Sequence, residues 1–178
     1  GIGFKKYTYR SNIDMNLTKT TVLGFLTDGE YTSRTEPSNA STDELWYAQA
    51  RLTPVAIPKM YSTGHIPAMD ENAGGFSPWA MLNYTGLKTY EYSNNNYSLT
   101  LNQDLSFITK GLTFRAQGSM RMQTWMNERR FIRPALWRAV DRTLDGELIL
   151  TRLRDKESVQ YTSEQNQRKT LHFESTIN

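Results

Sequence analysis

Apolar and polar residues alternate over several stretches of this chain, and the alternation is its clearest structural signal. From Tyr7 to Thr18 the odd positions are mainly apolar and the even positions are polar. Side chains on a β-strand point alternately to its two faces, so this stretch predicts a strand with one apolar and one polar face. The same reasoning predicts five strands, at about residues 7–18, 22–34, 97–107, 112–121 and 168–178, with a noisier pattern in the second.

The predicted connections between these strands are very unequal in length. Two are tight turns, near Thr18–Thr21 and Ile108–Gly111, and Gly111 can adopt the positive φ that such a turn often needs. Two are long loops, at about residues 35–96 and 122–167. Because hairpin strands are antiparallel, the tight turns lie at one edge of the sheet and the long loops at the other. Short turns opposite long loops are typical of outer-membrane β-barrels.

Strand length and aromatic placement favour the same interpretation. The stretch from Tyr7 to Leu17 matches the roughly 9–11 residues that a tilted strand needs to cross a membrane. In the apolar row, tyrosines lie toward the long loops and phenylalanines toward the tight turns, as in the aromatic girdles of barrels. These residues are Tyr7, Tyr9, Tyr31 and Tyr97, and Phe25, Phe107 and Phe114. Alternation alone is equally compatible with a soluble sheet that has one buried and one solvated face.

The polar row carries charges of both signs. In a barrel these side chains would face a hydrated or plugged lumen, whereas in a soluble sheet they would form its solvated outer face. The charged residues concerned are Arg10, Asp14, Asp104, Arg115, Arg121 and Glu174.

The first long loop contains two predicted short helices. Asp43–Arg51 has acidic residues in its first turn, and Thr42 or Asp43 can cap it. A second helical turn is predicted at Trp79–Asn83. Between the two helices we expect extended backbone at Thr53-Pro54 and Ile57-Pro58, and an irregular loop at residues 72–78.

Four loop aromatics are candidate ligand-binding residues. Their rings can stack on a sugar, although such residues more often form the small cores that hold a long loop together. These candidates are Trp46, Tyr47, Trp79 and Trp137.

The second long loop is rich in arginine, with aromatic residues interleaved. Such a mixture can bind nucleic acid through phosphate contacts and stacking. Acidic residues dilute the positive charge here, so a solvated helix face is the favoured interpretation and no nucleic-acid partner is expected. The arginines are Arg129, Arg130, Arg133, Arg138, Arg142, Arg152 and Arg154.

Composition excludes several classes of protein. The 178 residues include no cysteine, which excludes a disulfide scaffold and a thiolate metal site. A net charge of +3 is too small to indicate a polyanion partner. No apolar run approaches the roughly 18 residues of a membrane-spanning helix, and the first residues lack the pattern of a signal peptide.

The sequence contains no recognisable catalytic or cofactor motif. His65 and His172 lack the spacing of a zinc site, and Asp70–Asn72 lacks the other ligands of a calcium loop. Nucleotide-binding loops and nucleophile elbows are also missing from the sequence. We therefore expect no enzymatic activity and no cofactor.

Four segments together resemble the SusC/RagA family of TonB-linked outer-membrane proteins. They are Tyr9–Thr21, Ser41–Pro58, Ser77–Gly86 and Leu99–Ser119, in the order and with the spacing typical of that family. The last contains the turn Asp-Leu-Ser-Phe-Ile-Thr-Lys-Gly-Leu between two strands. The resemblance is strong over about residues 1–121 and weaker through the arginine-rich loop. One departure from the family pattern is Trp79, directly after Pro78, where relatives more often carry a different segment.

The resemblance implies a transporter in the bacterial outer membrane. Members form a 22-stranded barrel around a plug, and they import oligosaccharides or sometimes peptides. A SusD-like surface lipoprotein covers the extracellular mouth, and the TonB complex supplies energy through the N-terminal plug region. Neither the plug nor a TonB-box motif occurs in these residues. Coupling to TonB is therefore implied only by the family resemblance.

The expected fold is therefore all-β: an antiparallel segment of a large transmembrane barrel, with long extracellular loops that contain short helices. Five strands cannot close such a barrel, so residues 1–178 are expected to be one piece of a TonB-dependent receptor barrel. The alternative is a soluble carbohydrate-binding β-sandwich, which would fold cooperatively without detergent.

Overall fold

A computed structural model describes residues 2–38, 41–52, 56–70 and 77–178. In these ranges the fold is all-β with two short helices, as predicted. The elements are β1 (Gly3–Asn16), β2 (Thr21–Pro37), α1 (Thr42–Arg51), α2 (Pro78–Tyr84), β3 (Gly86–Asp104), β4 (Thr113–Phe131), β5 (Leu136–Arg142), β6 (Leu148–Arg154) and β7 (Gln160–Ile177). Thr53-Pro54 and most of the predicted loop at residues 72–78 lie outside the described residues.

Five strands form one open antiparallel sheet in the order β1-β2-β3-β4-β7. The predicted antiparallel sheet of five strands is confirmed, and the described residues contain two further strands, β5 and β6, that were not predicted. The edges of the sheet are β1 and β7. At the two tight turns the chain reverses as expected, and Gly111 has the anticipated positive φ of 83°.

Several strands are longer than the alternation predicted. β3 begins at Gly86 rather than near Tyr97, β4 continues to Phe131, and β7 begins at Gln160. Alternation is lost at the start of β3 because residues such as Asn94 and Asn95 are polar on both faces, although the backbone stays extended.

The prediction of a solvated helix in the second loop is wrong. Most of its arginines lie on strands, and β5 and β6 form a separate antiparallel hairpin in which Arg138 pairs with Thr151. The connecting turn is closed by the Thr143 N–H, which donates to Glu147 O at 2.8 Å, with Gly146 at φ 84°. Asp145-Gly146 is a recognised hairpin signal, so the sequence did contain the information.

The predicted cap of α1 is also wrong by one or two residues. Ser41 is the N-cap, because its hydroxyl accepts from the Glu44 N–H at 3.2 Å while its own N–H donates to Glu44 Oε2 at 2.7 Å. This reciprocal pair is a capping box. The acidic first turn, Asp43 and Glu44, is as predicted.

The chain divides into two compact units. The sheet unit comprises residues 4–33, 90–126 and 165–178, and the loop unit comprises residues 1–3, 34–89 and 127–164. The structure describes every residue of the sheet unit, and none of them is buried. The buried core belongs to the loop unit and consists of Ala48, Leu52, Ile57, Ile66, Ala68, Ala80, Met81 and Leu136. None of these eight residues is aromatic, although the partly buried Trp79 packs against them.

Candidate functional site

One face of the sheet unit carries a polar network that links three neighbouring strands. Asn96 on β3 donates through Nδ2 to Asp28 Oδ2 on β2 at 2.9 Å, and it accepts from Arg121 Nε on β4 at 2.9 Å. Three of the predicted polar-row residues, Asp14, Arg115 and Arg121, line the same groove of about 780 Å³. Hydrogen bonds thus join β2, β3 and β4 on the polar face, and a single groove runs past them.

The other face of the sheet unit is apolar and uncovered. Phe25, Leu99 and Met120 line a shallow groove there, together with Leu171 and Phe173 of the edge strand β7. Leu171 is 76% exposed and Phe173 is 74% exposed. Large apolar side chains in a contiguous exposed patch mark a surface that meets another protein or a membrane.

The four candidate aromatics have different environments. Trp46 and Tyr47 lie on α1 and are 71% and 58% exposed, and Arg51 donates to the Tyr47 hydroxyl at 3.2 Å. Trp79 on α2 packs against the core of the loop unit, with Lys59 Nζ 4.3 Å from its ring centroid. Its environment is that of a structural residue. Trp137 lines a cleft.

This cleft, called the Trp137 cleft below, has a volume of about 380 Å³ and lies within the loop unit. Its lining is mainly apolar or aromatic and also includes the polar residue Asn83 and one lysine. The lining residues include His65, Tyr84, Ile132, Pro134, Trp137 and Lys156. A concave, mainly apolar site with a few polar groups is the usual form of a small-molecule site.

Trp137 is held firmly at one side of the cleft. Its backbone N–H donates to Ile66 O at 2.9 Å, and its backbone carbonyl accepts from the Ala68 N–H at 2.8 Å. The preceding residue, Leu136, is fully buried in the core. The His65 ring meets the Trp137 ring edge-on, with 4.4 Å between centroids. The hydrogen bonds hold the backbone of Trp137 in place, and the His65 ring restrains the indole.

The opposite side of the cleft depends on a close backbone approach at Gly86. This residue has φ 86°, and a Cβ there would lie 2.0 Å from Arg130 O. Next to it, Thr85 is fully buried and accepts at its carbonyl from the Ile132 N–H at 3.1 Å. Only glycine fits this position, and the contact brings Tyr84 and Ile132 to the cleft.

Sequence reasoning found Trp137 and missed the rest of the cleft. The lining residues come from separate segments of the chain, and His65 and Lys156 lie 91 positions apart in the sequence. The one available signal was Gly86 directly after a short helix, a common helix-ending position.

Among the described residues, no group of three or more His, Asp or Glu side chains is placed to hold a metal ion. None of the helices found in the described ranges is long and apolar enough to span a membrane.

Comparisons with protein-family models, with curated proteins and with solved structures found no match for this chain. The family and the function are therefore proposals that rest on the sequence motifs and on the geometry described above.

Proposed function

We propose that this chain is part of the barrel wall of a SusC-like TonB-dependent transporter in the bacterial outer membrane, which imports oligosaccharides or peptides. The observation that carries the proposal is the sheet unit. It is one antiparallel layer with an apolar face and a hydrogen-bonded polar face, and none of its residues is buried.

Such a sheet suits a boundary between lipid and water. In water, the exposed Leu171 and Phe173 would cost free energy of about 25 cal/mol per Å² of apolar area. Against lipid the apolar face is satisfied, while the polar face can line a hydrated or plugged lumen. Lipid also requires every backbone group to be paired, so β1 and β7 would pair with further strands of the barrel.

The alternative, a soluble carbohydrate-binding β-sandwich, has less support. A sandwich buries the inner faces of two packed sheets. The described residues contain one five-stranded sheet and one two-stranded hairpin, and the sheet unit contributes nothing to the buried core.

Nucleic-acid binding also has little support, because many of the arginines in the second loop are engaged within the protein. Arg133 pairs with Glu157 at 3.1 Å, and Arg152 pairs with Asp155 at 2.8 Å. Arg129 donates from Nε to Ser38 O at 3.1 Å. These contacts leave a surface of mixed charge rather than a basic stripe.

The partners in this proposal come from the family resemblance. They are a SusD-like lipoprotein at the extracellular mouth, the TonB complex acting through a plug region, the transported oligosaccharide or peptide, and outer-membrane lipid. We propose a transport role without enzymatic activity or a cofactor.

Spin labels at Ile13 and Asn12 test the proposal directly. In the intact barrel, reconstituted in lipid, the label at Ile13 should collide with oxygen dissolved in the bilayer. The label at Asn12 should instead collide with a water-soluble nickel complex. Phe173 and His172 on β7 form a matched second pair, in which Phe173 should behave like Ile13.

The proposal fails if both labels of a pair report water, as a soluble protein requires. It also fails if the lipid-facing signal comes from Asn12 and His172, because the faces of the sheet would then be reversed.

A further inference from the structure

We propose that the Trp137 cleft binds a sugar ring that carries a carboxylate. The cleft would thereby give the chain a preference for glycans that contain uronic acids. This inference rests on the proposed transport function for the choice of a sugar, and on the cleft itself for the choice of an acidic one.

The aromatic walls of the cleft suit a sugar ring. The C–H faces of a sugar pack against aromatic rings, and the cleft offers Trp137 and Tyr84. The Trp137 ring packs against the His65 ring, with 4.4 Å between centroids, so less side-chain entropy is lost when a ligand packs against it. The volume of about 380 Å³ lies at the small end of ligand pockets, which suits a short stretch of a glycan chain.

The charge around the cleft selects an anion. Lys156 lies between Asp155 and Glu157 in the sequence, and both acids are already paired, with Arg152 at 2.8 Å and with Arg133 at 3.1 Å. Among the described residues, Lys156 itself has no ion pair. The described lining of the cleft includes Lys156 and contains no Asp or Glu. An unpaired ammonium beside an apolar cleft can donate a charge-assisted hydrogen bond to the carboxylate of a uronic acid.

A neutral sugar would leave this ammonium unused. A planar aromatic acid could also contact the Lys156 ammonium, but it has no sugar hydroxyls that need hydrogen-bond partners. A neutral sugar and an aromatic acid are therefore the comparison ligands in the test.

The test measures binding to the detergent-purified protein by isothermal titration calorimetry at low ionic strength. The probes are trigalacturonate, the matched neutral galactotriose, and benzoate. We expect trigalacturonate to bind about fivefold more tightly than galactotriose, the ratio that a partly solvated ion pair contributes. The preference should shrink as salt is added.

Lys156→Met should reduce the affinity for trigalacturonate to about that for galactotriose. Lys156 is exposed, so this variant should fold normally. Lys110→Met, in the tight turn after β3, is the matched control and should keep the preference. Trp137→Ala should weaken both sugars, whereas Trp46→Ala, which removes an exposed tryptophan outside the cleft, should weaken neither.

Equal affinities for the two trisaccharides would overturn the inference. So would a preference that survives Lys156→Met, or binding of benzoate without binding of trigalacturonate. The spin-label experiment separates this failure from that of the proposed function. If the labels report a barrel but no acidic preference is found, the cleft proposal alone falls. If the preference depends on Lys156 but the labels report water, the transport proposal falls and the acidic-sugar site stands.

Discussion

The Tyr9 hydroxyl donates a hydrogen bond to Asn95 Oδ1 at 3.0 Å, reaching from β1 across β2 to β3. The residue on β2 beneath this contact is Gly29. A Cβ at Gly29 would lie 2.6 Å from Asn95 Oδ1 and 2.7 Å from Tyr9 Cε1. The glycine thus makes room for the tyrosine ring, and the ring covers the gap that the glycine leaves in the sheet. This contact ties three strands together at the level where the apolar row gives way to polar residues.

Tyr9→Phe should therefore lower the free energy of unfolding by about 0.5–1.5 kcal/mol, the net value of one hydrogen bond. Tyr7→Phe is the matched control, because Tyr7 stacks with Tyr31 at 6.3 Å between centroids and phenylalanine can keep that contact. Urea unfolding in detergent measures both variants. Equal losses of stability would show that the Tyr9 hydroxyl contributes nothing specific.

Gly86→Ala should be much more damaging than Gly111→Ala. Both glycines have positive φ, 86° and 83°, so alanine pays a similar conformational cost of about 1–2 kcal/mol at each. At Gly111 the added Cβ meets nothing within 4 Å, whereas at Gly86 it would lie 2.0 Å from Arg130 O. The difference between the two losses of unfolding free energy isolates the clash.

We expect Gly86→Ala also to weaken ligand binding in the Trp137 cleft, because Tyr84 and Ile132 flank the same contact. Similar stabilities for the two variants would mean that the backbone near Arg130 can move away at little cost.

The strands were predictable because alternation reports directly on which face each side chain occupies. Ile13 and Asn12, or Leu171 and His172, differ so clearly in polarity that the strand and its phase follow from the sequence. Strand ends were harder to predict. Around Asn94 and Asn95 both faces are polar, and only pairing with neighbouring strands keeps the backbone extended. The β5–β6 hairpin was missed because its arginines outweighed the Asp145-Gly146 turn signal.

The Trp137 cleft could not be derived in the same way. His65, Tyr84 and Lys156 come from segments with no shared periodicity, and only tertiary packing brings them to Trp137. The net charge of the second loop also did not show which of its basic residues are paired with acids. Arg133 and Arg152 pair with the two acids that flank Lys156, and among the described residues this lysine of the cleft lining has no ion pair of its own.

The two faces of β1 should differ sharply in their tolerance of charge. In the proposed barrel, Ile13→Arg places a cation against lipid and should cost about 2–4 kcal/mol near the middle of the membrane. Asn12→Arg points the same side chain to the polar face and should cost little. The fraction of protein that assembles into a heat-modifiable barrel measures the difference. Equal assembly of the two variants would contradict the assigned faces.

The turn after β3 should have a measurable pH dependence. The Ser106 hydroxyl and the Ser106 N–H both donate to the Asp104 carboxylate, the N–H at 2.7 Å, and they hold the pKa of Asp104 below its ordinary value, with the hydroxyl as the larger cause. Because the folded-state pKa is lowered, the ionised carboxylate stabilises the turn above the unfolded-state pKa. This stabilisation is lost as the pH falls through the folded-state pKa.

Ser106→Ala removes the hydroxyl but keeps the N–H, so the pKa of Asp104 should rise part of the way toward its ordinary value. Loss of the turn contacts in acid should then begin at a higher pH than in the parent protein. Carboxyl carbon chemical shifts of labelled aspartate, followed through an acid titration, report the pKa directly. Thr109→Ala, in the same turn, is the control and should leave the titration of Asp104 unchanged. An unchanged pKa in Ser106→Ala would mean that the N–H contact alone, without the hydroxyl, stabilises the charged form.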